Sequence, residues 1–311
     1  MRDALVLDLA ALGAHDIVTT ADPRFPLRRV PQGVEVICLE HGAAPLDALF
    51  RRADAAWLIA PETGGCLERL AGRATRRGVQ LLGSNAGAIR RAADKASLPR
   101  RLAAQRVPHP ETRVVRSPSE AQSAARRLGF PVVVKPARGA GGDGVSRARR
   151  EADVALAFAR AARAGHAKRV LVQRFVAGTA ASVSLLSDGR RSVVLAVNGQ
   201  TRIPGSRFAY AGGRTPLAHP QAARARVLAL RACRSLPGLK GYVGVDVILT
   251  ATGAVVIEVN PRLTTSYLGL RASLAANVAA LALRACAGTL GAAPRPRRSV
   301  RFTAAGRVVT A

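Results

Sequence analysis

Residues 244–262 read GVDVILTATGAVVIEVNPR, two apolar runs separated by the short segment 250–253. Valine and isoleucine dominate each run, and turn-forming residues lie between them, so the stretch predicts a β-hairpin. In a hairpin that turns at this segment, Asp246 lies opposite residues 257–258. The stretch therefore predicts that Asp246 and Glu258 meet on facing strands.

These two acids stand out against their surroundings. They are the only acidic residues after position 188, a region that contains 18 lysines and arginines. Glu258 and Asn260 share one face of their strand, and if Asp246 faces the same way, three oxygen-bearing side chains suit Mg²⁺ completed by substrate phosphates. The alternative is a pair of surface carboxylates that balance arginines. We favour the metal site for two reasons. The region is far from charge balance, and an unpaired carboxylate in an apolar strand costs folding free energy.

The composition favours a soluble globular protein of two or three domains. The chain has 311 residues, of which 49% are hydrophobic, enough for a sizeable core. Its apolar runs are shorter than the roughly 18–20 residues of a membrane span. The N-terminal MRDALVLDLA carries acids within its apolar stretch, which excludes a secretory signal and favours a cytoplasmic location. The four cysteines are widely spaced, as in a protein with reduced core cysteines rather than disulfides or a zinc site.

The formal charge of +29 comes mainly from arginine, which supplies 44 of the 48 basic residues. The excess of arginine and alanine is typical of a coding bias, which raises the charge without a functional cause. A positive field attracts polyanions, but the chain is only 4% aromatic and has no recognition motif, which argues against specific nucleic-acid binding. An anionic small substrate explains the sign equally well. The four lysines are Lys95, Lys135, Lys168 and Lys240. A lysine retained in such a chain is a candidate for a site that needs a compact ammonium, and two of the four, Lys95 and Lys135, lie within suggestive motifs.

A glycine-rich loop, RGAGGDG, covers residues 138–144 and follows a predicted strand that ends at Lys135. Its GxGxxG spacing fits a dinucleotide fingerprint, but that motif opens directly into a helix and this loop precedes an extended segment. A P-loop is excluded, because no Gly-Lys-Ser/Thr follows. The remaining interpretations are a surface turn and a glycine flap whose backbone N–H groups approach phosphates near the Lys135 ammonium; we favour the flap.

Residues 1–93 alternate between predicted strands and a helix, which indicates a parallel sheet with helices on its faces in a Rossmann-like domain. Glu62 follows one of these strands, where open α/β sheets place ligand groups, although a plain loop before a helix fits equally well. The predicted strands cover 4–10, 33–40, 53–61 and 79–84, and the helix covers 63–78.

Residues 94–292 predict an α+β domain with subdomains at 94–179 and 180–292. The first contains the helix that begins near Ser117 and the strands that flank the glycine loop. The second contains hairpins over 180–198 and 241–260 and one long alanine-rich helix over 270–288. Residues 293–311 predict a basic C-terminal tail.

The order of these motifs resembles the ATP-grasp superfamily. A lysine in ADKAS, a lysine ending the strand VVVKP, a glycine flap, LVQRFVAG, GVDVIL and VIEVNPR follow one another over residues 94–290. The resemblance implies a Rossmann-like N-terminal domain, two α+β subdomains that clamp ATP, and phosphoryl transfer to a carboxylate followed by amide formation. The ribose-binding acid usual in that superfamily is replaced by Ala180.

The resemblance also implies site residues. Lys95 and Lys135 resemble its phosphate-binding lysines, and Arg262 resembles the arginine that steadies the acyl phosphate. The flap corresponds to Gly139, Gly141, Gly142 and Gly144, the adenine hinge to Gln173, Phe175 and Val176, and the Mg²⁺ ligands to Asp246, Glu258 and Asn260.

A narrower resemblance covers nearly the whole chain. WLIAPETGG, YAGGRTP and NPRLTTSYLGLR look like the tyramine–L-glutamate ligase family of methanofuran biosynthesis. It implies a cytoplasmic ligase that joins glutamate to tyramine or tyrosine with ATP and Mg²⁺ (or Mn²⁺), and it leaves an oligomer open. Another ATP-grasp ligase, or a basic nucleotide- or nucleic-acid-binding protein, stays an alternative. The candidate substrate residues are Asn198, Gln200, Tyr210, Thr264, Thr265, Tyr267 and Arg271.

Overall fold

The computed structural model describes residues 1–39, 45–165, 169–203 and 208–310, so Lys168 lies outside the described residues. Within these ranges no helix has the length and apolar character needed to cross a membrane. The helices are α1 (Arg2–Ala10), α2 (Pro45–Arg52), α3 (Cys66–Arg76), α4 (Ala86–Ala93), α5 (Leu98–Ala104), α6 (Pro118–Leu128), α7 (Val154–Ala164), α8 (Ala222–Arg234), α9 (Ser266–Ser273) and α10 (Val278–Cys286).

The strands fall into four sheets. They are β1 (Ile17–Ala21), β2 (Val34–Cys38), β3 (Ala55–Ala56), β4 (Gln80–Leu81), β5 (Thr112–Val115), β6 (Val132–Pro136), β7 (Ser146–Ala148), β8 (Val170–Arg174), β9 (Thr179–Ser187), β10 (Ser192–Arg202), β11 (Tyr210–Thr215), β12 (Gly241–Leu249), β13 (Ala254–Asn260), β14 (Val300–Thr303) and β15 (Val308–Thr310).

The N-terminal region contains two parallel strand pairs, β1 with β2 and β3 with β4. The prediction of parallel strands is confirmed, but the predicted first strand over 4–10 is wrong: this segment is helix α1, and the first strand is β1. A seven-residue apolar run fits a buried helix as well as a strand. Here the partner decides, because α1 buries Ala4, Leu5 and Val6, and Ala4 and Leu5 belong to the same cluster as residues of α9 and α10.

A four-stranded antiparallel sheet, in the order β5-β8-β6-β7, carries the glycine loop. Helices α6 and α7 cover it with a core of alanine and valine. The predicted helix start at Ser117 is confirmed, since its side chain accepts a hydrogen bond from the Glu120 backbone N–H, as an N-cap does. The glycine loop therefore connects β6 to the edge strand β7 of a sheet that two helices cover.

A seven-stranded sheet, in the order β13-β12-β9-β10-β11-β14-β15, carries the predicted hairpins. Val243, Val245 and Val247 of β12 enter the core beneath α8. Asp246 therefore points to the opposite face of the strand. It pairs with Glu258 as predicted, and the register shift directly after Asp246 marks a bulge that leaves residue 257 as the extra residue of β13.

The predicted single helix over 270–288 is wrong, because α9 ends at Ser273 and α10 begins at Val278. Asn277 caps α10 by accepting a hydrogen bond from the Ala280 backbone N–H, which sets a new helix start. The predicted tail over 293–311 also differs from the structure. It contributes β14 and β15 to the sheet, and Val300 and Phe302 are buried.

Asp8 joins the N-terminal helix to the region after the hairpin. The Arg271 guanidinium donates to both carboxylate oxygens of Asp8 from Nε, and its Nη2 lies 2.6 Å from Oδ1. The Tyr267 hydroxyl donates to the same carboxylate over 2.5 Å, and the Asn277 amide donates to the Asp8 carbonyl over 2.7 Å. Two predicted substrate residues, Tyr267 and Arg271, therefore fasten α9 to α1.

We predict that Asp8→Asn lowers the free energy of unfolding by about 2–3 kcal/mol, since it leaves a partly buried guanidinium without its charge partner. Urea denaturation measures the effect. Asp16→Asn is the matched control, because Asp16 is exposed. Equal stability of the two variants would contradict this role of Asp8.

Candidate functional site

A cavity of about 330 Å³ opens between the four-stranded and seven-stranded sheets. It contains most of the residues that the sequence selected. Gly144, Asn198, Tyr267 and Arg271 do not line it. The predicted residues that do are Lys95, Lys135, Gly139, Gly141, Gly142, Gln173, Phe175, Val176, Gln200, Tyr210, Asp246, Glu258, Asn260, Arg262, Thr264 and Thr265.

The paired acids form the polar centre of the cavity. The Gln200 amide donates to Asp246 Oδ1 over 2.9 Å, and the Asn260 amide donates to Asp246 Oδ2 over 3.3 Å. Glu258 accepts a hydrogen bond from the Lys95 ammonium. Burial, together with the neighbouring Glu258 charge, raises the pKa of Asp246 to about 8. Burial opposes ionisation of Glu258 as well, but Lys95 and Lys135 outweigh it and lower the pKa of Glu258 to about 2.

This centre suits a divalent cation that also binds phosphates. No group of three or more acidic, histidine or cysteine side chains gathers for a metal anywhere in the described part of the chain. Two carboxylates and the Asn260 amide oxygen are hard oxygen donors, and such an incomplete set is typical of Mg²⁺ sites that phosphates complete. Asp246 accepts hydrogen bonds only from amides and forms no salt bridge in the described part of the chain, so its charge has no cationic partner. The residues therefore fit the magnesium that the sequence predicted.

Lys135 faces this centre from the other sheet. Its ammonium donates to Gln173 Oε1 over 3.0 Å, and the Gln173 amide donates to the Thr112 hydroxyl over 2.8 Å. Burial, with a smaller effect of the Lys95 charge, lowers the pKa of Lys135 to about 8. A buried ammonium without a carboxylate partner is suited to an incoming anion such as phosphate.

The loop between β6 and β7 needs glycine for two reasons. Gly141, Gly142 and Gly144 have φ angles of 73°, 82° and 69°, a left-handed region that disfavours other residues. A Cβ on Gly144 would lie 2.5 Å from the Ala164 Cβ, and one on Gly142 would lie 3.1 Å from the Phe208 carbonyl oxygen. Gly144 therefore packs the loop against α7, while the loop tip stays bare beside the cavity.

The hinge residues form the end of the cavity at β8. Phe175 donates its backbone N–H to the Pro131 carbonyl over 3.2 Å, and the Arg147 guanidinium stacks 3.9 Å from its ring centroid. Val176 and Ala180 line the same cavity. Ala180 has no side-chain oxygen, so the cavity wall lacks the ribose-binding acid of the ATP-grasp pattern at this position.

Arg262 connects the cavity to the N-terminal region through Glu62. Its Nε lies 2.9 Å from Glu62 Oε1, its Nη2 lies 2.8 Å from Oε2, and Glu62 is buried. The sequence marked Glu62 only as one of two equal possibilities, a ligand group or a loop residue. Its partner lies 200 positions away, which is why sequence reasoning could not assign it.

The other predicted substrate residues have mixed positions. Asn198 is buried inside the sheet, where its amide donates to the Ser184 hydroxyl over 2.9 Å. The Thr264 hydroxyl lies 3.2 Å from that of Tyr242, and Thr265 precedes α9 at the cavity. Burial raises the pKa of Tyr210, so its phenol stays protonated. Sequence reasoning missed Arg202 and Phe208, which also line the cavity.

Comparison with known families agrees with this geometry. The model of the ATP-grasp domain matches residues 92–266, and the model of the pre-ATP-grasp 3 domain matches residues 15–89. The chain belongs to the ATP-grasp family. The predicted ATP-grasp fold with a pre-ATP-grasp N-terminal domain is thereby confirmed.

Solved structures share the ATP-grasp fold at low identity. A biotin carboxylase from Campylobacter jejuni, in complex with β,γ-ATP, has a TM-score of 0.80 and 15% identity, covering 96% of this chain and 72% of its own. The biotin carboxylase domain of the Hydrogenobacter thermophilus 2-oxoglutarate carboxylase, with MgADP and bicarbonate, has a TM-score of 0.80 and 17% identity, and the match covers 96% of this chain and 70% of that domain's chain. An L-amino acid ligase from Bacillus licheniformis has a TM-score of 0.75 and 16% identity, and the match covers 96% of this chain and 75% of the ligase chain.

The pKa of Lys135 predicts a pH dependence of nucleotide binding by this ATP-grasp chain. With a pKa of about 8, Lys135 is charged at pH 7 and mostly neutral at pH 9, while the phosphates of ADP stay ionised. Asp246 gains its negative charge over the same range, so the affinity for ADP without a divalent cation should fall about tenfold or more between pH 7 and 9. Calorimetry at both pH values measures it. Lys135→Met should bind ADP weakly at both values, and a flat profile for the unmodified chain would contradict the assignment.

Proposed function

We propose that the chain is an ATP-dependent carbon–nitrogen ligase that forms an amide through an acyl phosphate. One observation carries the proposal: the Lys95–Glu258–Asp246 cluster faces Lys135 and the glycine flap across a single cavity. This arrangement joins an oxygen-rich cation site to lysine ammonium groups and bare backbone N–H groups. Phosphoryl transfer needs these parts, because its catalysis rests on positioning and charge neutralisation.

The proposed reaction has two steps. A carboxylate oxygen of the donor attacks the γ-phosphorus of ATP, the bond to the bridging oxygen breaks, and ADP leaves. The amine nitrogen of the acceptor then attacks the acyl carbon, inorganic phosphate leaves, and the amine loses a proton. Water would hydrolyse the intermediate, so closure of the glycine flap over the cavity protects it.

The chain's own side chains divide this work. Asp246, Glu258 and Asn260 would hold Mg²⁺, which supplies charge neutralisation to the phosphates when bound. Lys95 and Lys135 contact the phosphate oxygens. Hinge residues at the end of β8 bind the adenine, and Arg262 steadies the acyl phosphate.

The finer proposal is that the γ-carboxylate of glutamate is joined to tyramine or tyrosine, in biosynthesis of a methanofuran-type one-carbon cofactor. Its support is the sequence resemblance in NPRLTTSYLGLR and related motifs. Within that stretch Thr264 and Thr265 line the cavity, whereas Tyr267 and Arg271 bind Asp8. Thr264 and Thr265 are therefore the residues of this stretch that a substrate could reach, while Tyr267 and Arg271 anchor α1.

A panel assay of ADP release tests the proposed function. Glutamate and other amino acids are offered as carboxylates, with tyramine, tyrosine and other amines as acceptors. We expect release that needs both glutamate and an aromatic amine. Release with a different amino-acid pair would favour another ATP-grasp ligase, and salt-sensitive DNA binding without ADP release for any pair would contradict the ligase.

Glu258→Gln is predicted to abolish Mg²⁺-dependent ADP release, because it removes a metal-binding charge and the partner of Lys95. The circular dichroism spectrum and the chromatographic volume should stay those of the unmodified chain. Glu35→Gln is the matched control, because Glu35 is an exposed residue of β2 that also loses an ion pair, with Arg52. Full activity of Glu258→Gln would remove the metal assignment.

Glu62→Gln is predicted to lower kcat about tenfold to a hundredfold without changing the KM for ATP. Its amide has the shape of the carboxylate but cannot hold both edges of the Arg262 guanidinium, and small misplacements at a reacting group cost this much. Steady-state kinetics at saturating carboxylate and amine measures the split. A change in the KM for ATP alone would show that Glu62 supports the nucleotide instead of Arg262.

A further inference from the structure

The cations of the cavity divide into paired and unpaired groups. Three of them form salt bridges with acidic side chains, namely Lys95, Arg174 and Arg262. In the described part of the chain, the other two form none. Lys135 is one of these, and the proposed function gives it the phosphates of ATP. The five cations that line the cavity are Lys95, Lys135, Arg174, Arg202 and Arg262.

Arg202 is therefore the lining cation without a role. It lies on β10, two residues after Gln200, whose amide donates to Asp246 over 2.9 Å. Strands β12 and β9 lie between β13 and β10, so the strand of Arg202 runs roughly 14 Å from the strand of Glu258. Arg202 thus lies on the far side of Asp246 from the Lys95–Glu258 pair.

An aromatic ring fixes the plane of the Arg202 guanidinium. The guanidinium carbon lies 4.6 Å from the centroid of the Phe208 ring, a stacking distance that favours a cation over an aromatic face. Phe208 has a φ of 72°, a costly backbone conformation for a residue with a Cβ. A stacked guanidinium keeps its N–H edge free for a planar, two-oxygen partner.

The protein supplies no carboxylate partner for this charge among the described residues. Burial lowers the pKa of Arg202, and only the charge of Asp246 acts in the opposite direction. Asp246 accepts its hydrogen bonds from the Gln200 and Asn260 amides and not from Arg202. A guanidinium that lines the cavity and has no carboxylate partner among the described residues is suited to bind a carboxylate brought by a ligand.

We propose that Arg202, held by Phe208, binds the free carboxylate of the amino-acid substrate, which in the proposed reaction is the α-carboxylate of glutamate. The inference rests on the proposed function and deepens it. Arg271, the arginine among the candidate substrate residues of the sequence, is not available for this role, because its guanidinium is bound to Asp8. The triphosphate is the other source of an oxyanion, but Lys95 and Lys135 lie on the other side of the acids.

Calorimetric titration of the full chain tests this subsite. L-glutamate and 4-aminobutyrate, which lacks the α-carboxylate but keeps the reacting one, are titrated in the presence of Mg²⁺ and a non-hydrolysable ATP analogue. Arg202→Met should weaken glutamate binding about tenfold or more, and Arg202→Lys should weaken it less. Binding of 4-aminobutyrate and of the ATP analogue should stay unchanged. Arg226→Met, on the exposed side of α8, is the matched control and should behave as the unmodified chain.

Three results would overturn the inference. The first is equal glutamate affinity in Arg202→Met and the unmodified chain, and the second is no glutamate binding to the unmodified chain. The third is an Arg202→Met variant that loses affinity only for the ATP analogue, which would show that Arg202 binds a phosphate instead of a carboxylate. Failure of the proposed function looks different: glutamate binding would depend on Arg202, yet no pair of substrates would release ADP. If ADP is released with an unchanged KM for glutamate in Arg202→Met, the function stands and the subsite falls.

Discussion

Two carboxylates placed side by side in a buried site are the constraint on which the rest of this structure depends. Asp246 and Glu258 pair across β12 and β13, where both are half-buried and their charges repel each other with reduced screening by water. Lys95 neutralises Glu258, while Asp246 has only amide donors and a pKa raised by burial to about 8. Asp246 therefore lacks a cationic partner among the described residues, and a divalent cation would fill that place.

The neighbouring elements surround this pair with groups that bind anions. The four-stranded sheet brings Lys135 and the glycine loop to the opposite wall, and the N-terminal region orients Arg262 through the buried Glu62. Farther along the seven-stranded sheet, Arg202 offers a guanidinium stacked on Phe208. Each group comes from a different part of the chain, so the cavity depends on all of them being folded together.

The sequence predicted local elements well and distant partners poorly. The pairing of Asp246 with Glu258 was predictable, because four residues of turn and two apolar strands allow few registers. Helix α1 was not, since its short apolar run fits either period and only packing against α9 and α10 decides. The pairs of Arg271 with Asp8 and of Arg262 with Glu62 join residues more than 190 positions apart. Arginines that looked ready for substrate thus proved to have protein partners, and no local pattern shows this.

A crystal structure of the chain with ADP and Mn²⁺ tests the central claim most directly, because anomalous scattering locates the metal without ambiguity. The account predicts one Mn²⁺ between Asp246 and Glu258, completed by a phosphate oxygen, with the Lys135 ammonium on the same phosphates. Mn²⁺ bound elsewhere, or ADP outside the cavity between the two sheets, would contradict it.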